Sequence, residues 1–155
     1  MDIEHIAVIG SGQMGNGIAQ VAACAGYSVT MVDIKQEFLD KGMNTISSSL
    51  NRLVAKERMS KEDASNAMSR ISASTDTNSC ASADLIVEAI PEIPELKYST
   101  FGQLDSICKE SAILASNTSS ISIDSIAGST NRPDKVIGMH FMNPVPIMKL
   151  VEVIN

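Results

Sequence analysis

Two groups of residues in this chain have the types and spacing to do chemistry. The first is Gly10-Ser11-Gly12-Gln13-Met14-Gly15, with Asp33 a further 18 residues beyond Gly15. The second is the stretch HFMNPVPIMKLVEV, which joins His140, Asn143 and Glu152 to an apolar run. The glycine run fits G-x-G-x-x-G, and it has the context that pattern needs: an apolar run (HIAVIG) precedes it and a helical pattern follows. Gly10 permits the tight turn, Gly12 admits a pyrophosphate to the backbone, and Gly15 lets the helix pack closely on the sheet. Unpaired N–H groups at the helix start and the helix dipole then hold the anion. Asp33 is placed to accept both ribose hydroxyls and to repel a 2′-phosphate, which selects NAD over NADP. Lys35 beside it reads as a solvated lysine opening a helix. The rival readings are a glycine turn that binds nothing and an S-adenosylmethionine site. A phosphate loop of the Gly-Lys-Ser/Thr kind is excluded, because that tripeptide is absent.

His140 taken alone reads most simply as a packed residue with its ring hydrogen-bonded. Glu152 changes the balance. If MKLVEV is a strand beside KVIGMHF, a carboxylate reaches the imidazole, orients it, fixes its tautomer and stabilises the imidazolium. A glutamate in an otherwise apolar strand needs such a partner. His5, near the start, reads as a surface residue.

The elements that must position these groups follow from periodicity. HIAVIG and SVTMVDI read as strands flanking a helix with Met14, Ile18, Val21, Ala22 and Ala25 at helical spacing and Gly26 as its terminator, a βαβ unit. A long helical stretch carries Leu39, Met43, Ile46, Leu50 and Leu53, and Ser60 with Asp63 resembles a capping box for another helix. ADLIVEAI reads as a central parallel strand. Pro91 and Pro94 open a further helix through Leu96, Leu104 and Ile107. SAILASN, KVIGMHF and MKLVEVI are strands, and SIDSIAG is a short helix. The alternation predicts a doubly wound α/β fold with a mostly parallel sheet of the Rossmann type, one domain over residues 1–155. Polar clusters follow three successive strands: residues 88–92, residues 117–120, and His140 with Asn143. In an open parallel sheet ligands bind beyond the carboxyl ends, so the three suggest one crevice.

The bulk properties exclude several classes. The chain has 155 residues, 44% apolar and 19% charged, enough for one core. A net charge of −6 disfavours nucleic acid and anionic membranes as partners. No apolar stretch approaches bilayer-spanning length, and MDIEHIAVIG lacks the basic start of a signal peptide. The three cysteines, 24, 80 and 108, have no metal-site or disulfide spacing. No metal and a reduced cytoplasmic location are therefore expected. With no Trp and nine Met, the core should be aliphatic and adaptable. Arg52, Lys56, Arg58 and Lys61 form a basic cluster suited to an anionic handle, or else a solvated helix face.

Together VIGSGQMGNGIAQVAA, DLIVEAIPE, ASNTSSISI, HFMNPVPIMKLVEVI and Asp33 resemble the NAD-binding domain of the L-3-hydroxyacyl-CoA dehydrogenases, over essentially the whole chain. The resemblance implies NAD-dependent interconversion of (S)-3-hydroxyacyl-CoA and 3-ketoacyl-CoA in fatty acid metabolism. It implies His140 as general base and acid, Glu152 as its orienting partner, Ser119 near the reacting oxygen and Asn143 near the nicotinamide. It further implies that Ala89, Glu92, Lys97 and Asn117 line the NAD site, with Ser119 and Asn143 meeting it too. Ser49 and Lys56, with Ser119, would meet the acyl-CoA substrate. Family members continue into a helical domain that the chain is expected to lack, so a helical partner or a homo-oligomer is expected. Two alternatives stay open: a non-catalytic NAD-binding module, and a dehydrogenase of a related hydroxy acid.

Overall fold

The computed structural model describes residues 2–155. Its seven strands form one sheet: β1 (His5–Ile9), β2 (Ser28–Val32), β3 (Ile71–Ser74), β4 (Leu85–Glu88), β5 (Ile113–Ser116), β6 (Val136–Phe141) and β7 (Val151–Ile154), in the order β3-β2-β1-β4-β5-β6-β7. β1 to β6 run parallel and only β7 is antiparallel, to β6. The predicted doubly wound sheet is what the chain adopts.

Alternation of side chains divides the strands between two cores. Ile6 and Val8 of β1, Val29 and Met31 of β2, and Val87 of β4 pack on one face. That face is covered by α1 (Gln13–Cys24), α2 (Gln36–Ala55) and α3 (Lys61–Ser69). Ala7, Ile9, Val32, Ile86 and Leu114 pack on the other, under α4 (Pro94–Ile107) and α5 (Ile123–Ala127), where Phe101, Leu104 and Ile126 are fully buried. Because both faces are covered, the central strands read as unbroken apolar runs. Ser60 accepts a bond from Asp63 N at 3.0 Å and starts α3 as the capping pattern predicts. Gly26 follows α1 at φ +101°, a left-handed conformation suited to glycine, and Tyr27 N bonds back to Ala22 O.

Three details differ from the sequence reading. β3 has no strand pattern in the sequence; of its ISAS only Ile71 is buried, and the strand pairs with β2 through its backbone. The terminal strand is shorter than MKLVEVI, spanning Val151–Ile154. His5 is half-buried, not a surface residue, and its Nε2 lies 2.7 Å from Thr30 Oγ1.

At the amino ends of the strands Asp84 ties three segments together. Its carboxylate accepts from Glu4 N at 2.9 Å, from His5 N at 3.0 Å, and from the Lys109 ammonium. The Lys109 bond is the main cause, with the two backbone donors next, that holds this carboxyl well below the usual aspartate range. The folded-state value is depressed, so its contribution is present above the ordinary value of 3.8 and fades as pH falls below it. Lys109 is partly solvated, which screens the pair. Asp84→Asn should therefore lower stability at pH 7 by about 1–2 kcal/mol. Urea unfolding should show that gap closing below about pH 4; a gap of constant size would exclude this role for Asp84.

Candidate active site

The carboxyl ends of β2, β1, β4, β5 and β6 open on one side of the sheet, and the predicted site residues gather there. β1 lies between β2 and β4, and the helix that follows it covers one face while α4 covers the other. This is the switch point where open α/β sheets bind ligands.

The glycine turn leaves β1 at Gly10, whose φ of +107° is left-handed. A Cβ there would also sit 2.6 Å from Ala89 O. At Gly15 a Cβ would meet Gly10 O at 2.0 Å, so α1 lies against the end of β1 at backbone contact. At Gly12 a Cβ would meet nothing within 4 Å, and α1 starts at this residue with no capping side chain. Open space thus faces uncapped helix N–H groups, as an anionic pyrophosphate requires.

Asp33, at the end of β2, accepts from Ser11 N at 2.8 Å and Ser11 Oγ at 2.6 Å, and from Ile34 N at 2.7 Å. A carboxylate offers about four lone-pair sites, so one on Oδ1 remains for a ribose hydroxyl. A cavity of about 720 Å³ joins these groups: Gly10, Ser11, Gly12, Gln13, Met14 and Asp33 line it with Ala89, Ile90 and Pro91. Its size suits a nucleotide. Ile34 and Phe38, both exposed, form its apolar wall. The sequence reading missed them, and their only signal was two large apolar residues flanking the start of α2.

β4 ends in Glu88, which is fully buried and paired with the equally buried Lys97 at 2.6 Å. Lys97, expected to line the cofactor site, also donates to Ile90 O at 3.2 Å, and Ile90 lines the cavity. Glu92 accepts from Thr118 Oγ1 and stands 3.5 Å from Lys97 Nζ. On the next strand end, Asn117 Oδ1 accepts from Phe141 N at 2.8 Å, tying β5 to β6. Ser119 is exposed at the same edge.

His140 and Glu152 are direct partners in the antiparallel register of β6 and β7. His140 Nδ1 lies 3.5 Å from Glu152 Oε2, so the pair meets through Nδ1 and not through Nε2. The expected contact is present, looser than a typical hydrogen bond. Between the two strands a loop crosses α1: Val145 is buried there, and a Cβ on Gly17 would stand 2.8 Å from Val145 Cβ. Gln13 Nε2 donates to Asn143 Oδ1 at 3.2 Å, so the loop also reaches the glycine turn.

A second cavity of about 300 Å³ adjoins this loop and holds Ser49, Arg52, Lys56 and Arg58 together with Asn143. Three of the four cluster cations thus share one space. Lys61 does not; it faces a different depression with Ser47 and Leu50. Gln20, nearly fully buried, donates to Ser49 Oγ at 2.9 Å and orients it.

A doubly wound sheet with this turn, this acidic residue and a paired histidine defines a dinucleotide-binding domain of the oxidoreductase class. The family model described as "3-hydroxyacyl-CoA dehydrogenase, NAD binding domain" matches residues 5–155. A 3-hydroxybutyryl-CoA dehydrogenase of Bradyrhizobium diazoefficiens is 47% identical over 99% of this chain and 52% of its own length. A probable 3-hydroxybutyryl-CoA dehydrogenase of Deinococcus radiodurans is 52% identical over 96% of this chain and 53% of its own. The crystal structure of (S)-3-hydroxybutyryl-CoA dehydrogenase PaaH1 from Ralstonia eutropha superposes with a TM-score of 0.96 at 46% identity, covering 98% of this chain and 54% of that one. The chain belongs to the 3-hydroxyacyl-CoA dehydrogenase family and is its NAD-binding domain. It spans about half the length of the curated relatives it matches.

Proposed function

We propose that the chain carries the cofactor-binding and proton-transfer half of an enzyme that interconverts (S)-3-hydroxyacyl-CoA and 3-ketoacyl-CoA. The observation that carries this reading is the registered His140–Glu152 pair, set on the same sheet edge as the glycine turn and Asp33. NAD, when bound, supplies the acceptor for the hydride that leaves C3. His140 takes the 3-hydroxyl proton on its free ring nitrogen, and in the reverse direction returns it to the ketone oxygen. Glu152 holds the ring's orientation and stabilises its positive charge. Ser119 donates to the reacting oxygen, and Asn143 positions the nicotinamide. Arg52, Lys56 and Arg58, with Ser49, hold the anionic CoA handle in the second cavity. The relatives' own activities support this substrate class.

The exposed Ile147, Met148, Leu150, Val153 and Ile154 beside Glu152 favour a second reading, an NAD-binding subunit that turns over only with a partner. One experiment separates the two: the purified chain is titrated with NADH and NADPH by fluorescence, then given acetoacetyl-CoA while NADH absorbance is followed. NADH should bind, and NADPH should bind at least about tenfold more weakly, because Asp33 repels its 2′-phosphate. A steady absorbance decline supports the enzyme reading for the chain itself. Binding without decline favours the subunit. Equal affinity for both cofactors would sink the assignment to Asp33.

A further inference from the structure

The charges at the end of β4 do not balance. Glu88 sits in the centre of the sheet with none of its surface exposed, and a buried carboxylate must be paired. It is fully satisfied: Oε1 accepts from Ser116 Oγ at 2.6 Å, and Oε2 from Ile90 N at 2.9 Å and Lys97 Nζ at 2.6 Å. Lys97 spends its other donors on Ile90 O at 3.2 Å and towards Glu92 Oε2 at 3.5 Å. One ammonium thus faces two carboxylates. Glu88, in direct contact, is neutralised, and Glu92 is left as surplus.

Glu92 is 42% exposed just beyond the carboxyl end of β4, next to the cavity-lining Pro91, so its charge is not confined to the core. Its position is held from both sides, by Lys97 and by the hydroxyls of Thr118 and, at 3.5 Å, Ser120. Burial acts to push this carboxyl up, but the Thr118 bond and the Lys97 charge outweigh it and leave it below the usual glutamate range. It is therefore a fixed anion at neutral pH.

The strand order says which part of a dinucleotide it faces. Asp33 on β2 marks the adenosine end and the β1 turn marks the pyrophosphate. The other nucleotide must then cross β4 and β5 towards His140 on β6. Glu92, bonded across those two strand ends, flanks that path. The oxidised nicotinamide ring carries one positive charge that the reduced ring lacks, while the phosphates are the same in both. A fixed anion beside the ring therefore discriminates between the two forms.

We propose that Glu92 is a specificity-determining residue that favours the oxidised over the reduced cofactor, with Glu88 and Lys97 as the buried pair that positions it. This rests on the NAD-binding function proposed above.

The test is calorimetric titration of the full chain and of Glu92→Gln with NAD⁺ and NADH separately. Glutamine keeps an oxygen for Thr118 and removes only the charge. The ratio of the NAD⁺ to the NADH dissociation constant should rise about three- to tenfold, almost all of it from weaker NAD⁺ binding. Both constants moving by one common factor would mean that Glu92 merely shapes the loop, and no movement would mean that it is too remote; either overturns the proposal alone. Failure of the parent chain to bind either form overturns it together with the NAD reading.

Discussion

Gly15→Ala should damage the fold, whereas Gly12→Ala should damage only the ligand site. A methyl group at residue 15 would lie 2.0 Å from Gly10 O. That carbonyl has little room to retreat: Gly10 N bonds Val32 O at 2.7 Å, and Ala89 O, just beyond β4, borders the same residue. α1 must lift from the sheet instead, which opens the core where Ile18, Ala19 and Ala22 meet β1 and β2. The expected loss is about 3–5 kcal/mol, the range of overpacking that the backbone cannot relieve combined with lost core contact. At residue 12 nothing stands within 4 Å of the added atom, so stability should stay within about 1 kcal/mol. The methyl group instead occupies space meant for the pyrophosphate, and NADH affinity should fall at least about tenfold. Urea unfolding and NADH titration of both variants check the pair. A Gly15→Ala chain as stable as its parent, or a Gly12→Ala chain that binds normally, would contradict the account.

The second large effect concerns the proton. In any form of the protein that turns over 3-ketoacyl-CoA, His140→Gln should lower kcat by about 10³–10⁴, typical for the loss of a general acid–base. NADH affinity of the chain should fall far less than kcat, since the glycine turn and Asp33 that line the larger cavity are untouched by the substitution. Glu152→Gln should cost less, about 10–100-fold, because the ring survives and only its orientation and charge support are weakened. Steady-state kinetics beside NADH titration would check both. An unchanged kcat in His140→Gln would be fatal to the proposed mechanism.

Much of this was legible in the sequence, for identifiable reasons. The βαβ unit is local: a glycine turn between two apolar runs, with helical spacing in between. The His140–Glu152 contact was legible because both residues lie on strands whose antiparallel pairing follows from a short connection. β3 was hidden because ISAS buries only Ile71, so its strand character comes from β2's backbone rather than its own side chains. The Glu88–Lys97 pair was hidden because two prolines separate its members and neither periodicity nor motif marks a buried lysine. Lys61 was grouped with Arg52, Lys56 and Arg58 because charge clusters are read along one dimension. The turn between α2 and α3, where Glu57 has a φ of +57°, sends Lys61 elsewhere. Ile34 and Phe38 were passed over because apolar residues beside a helix are expected to pack inward, while these face a cavity.

The seat of Val145 at Gly17 has a mechanical consequence. Val145 belongs to the loop between His140 and Glu152, and Gly17 belongs to the helix that the glycine turn opens. Gln13 and Asn143 fasten the same two segments nearer the turn. A displacement of α1 should therefore carry the loop with it, so that the His140–Glu152 pair and the glycine turn shift in the same direction. The separation between them should then fluctuate less than the position of either. Reactions that tolerate errors of only a fraction of an ångström depend on that separation, not on absolute stillness.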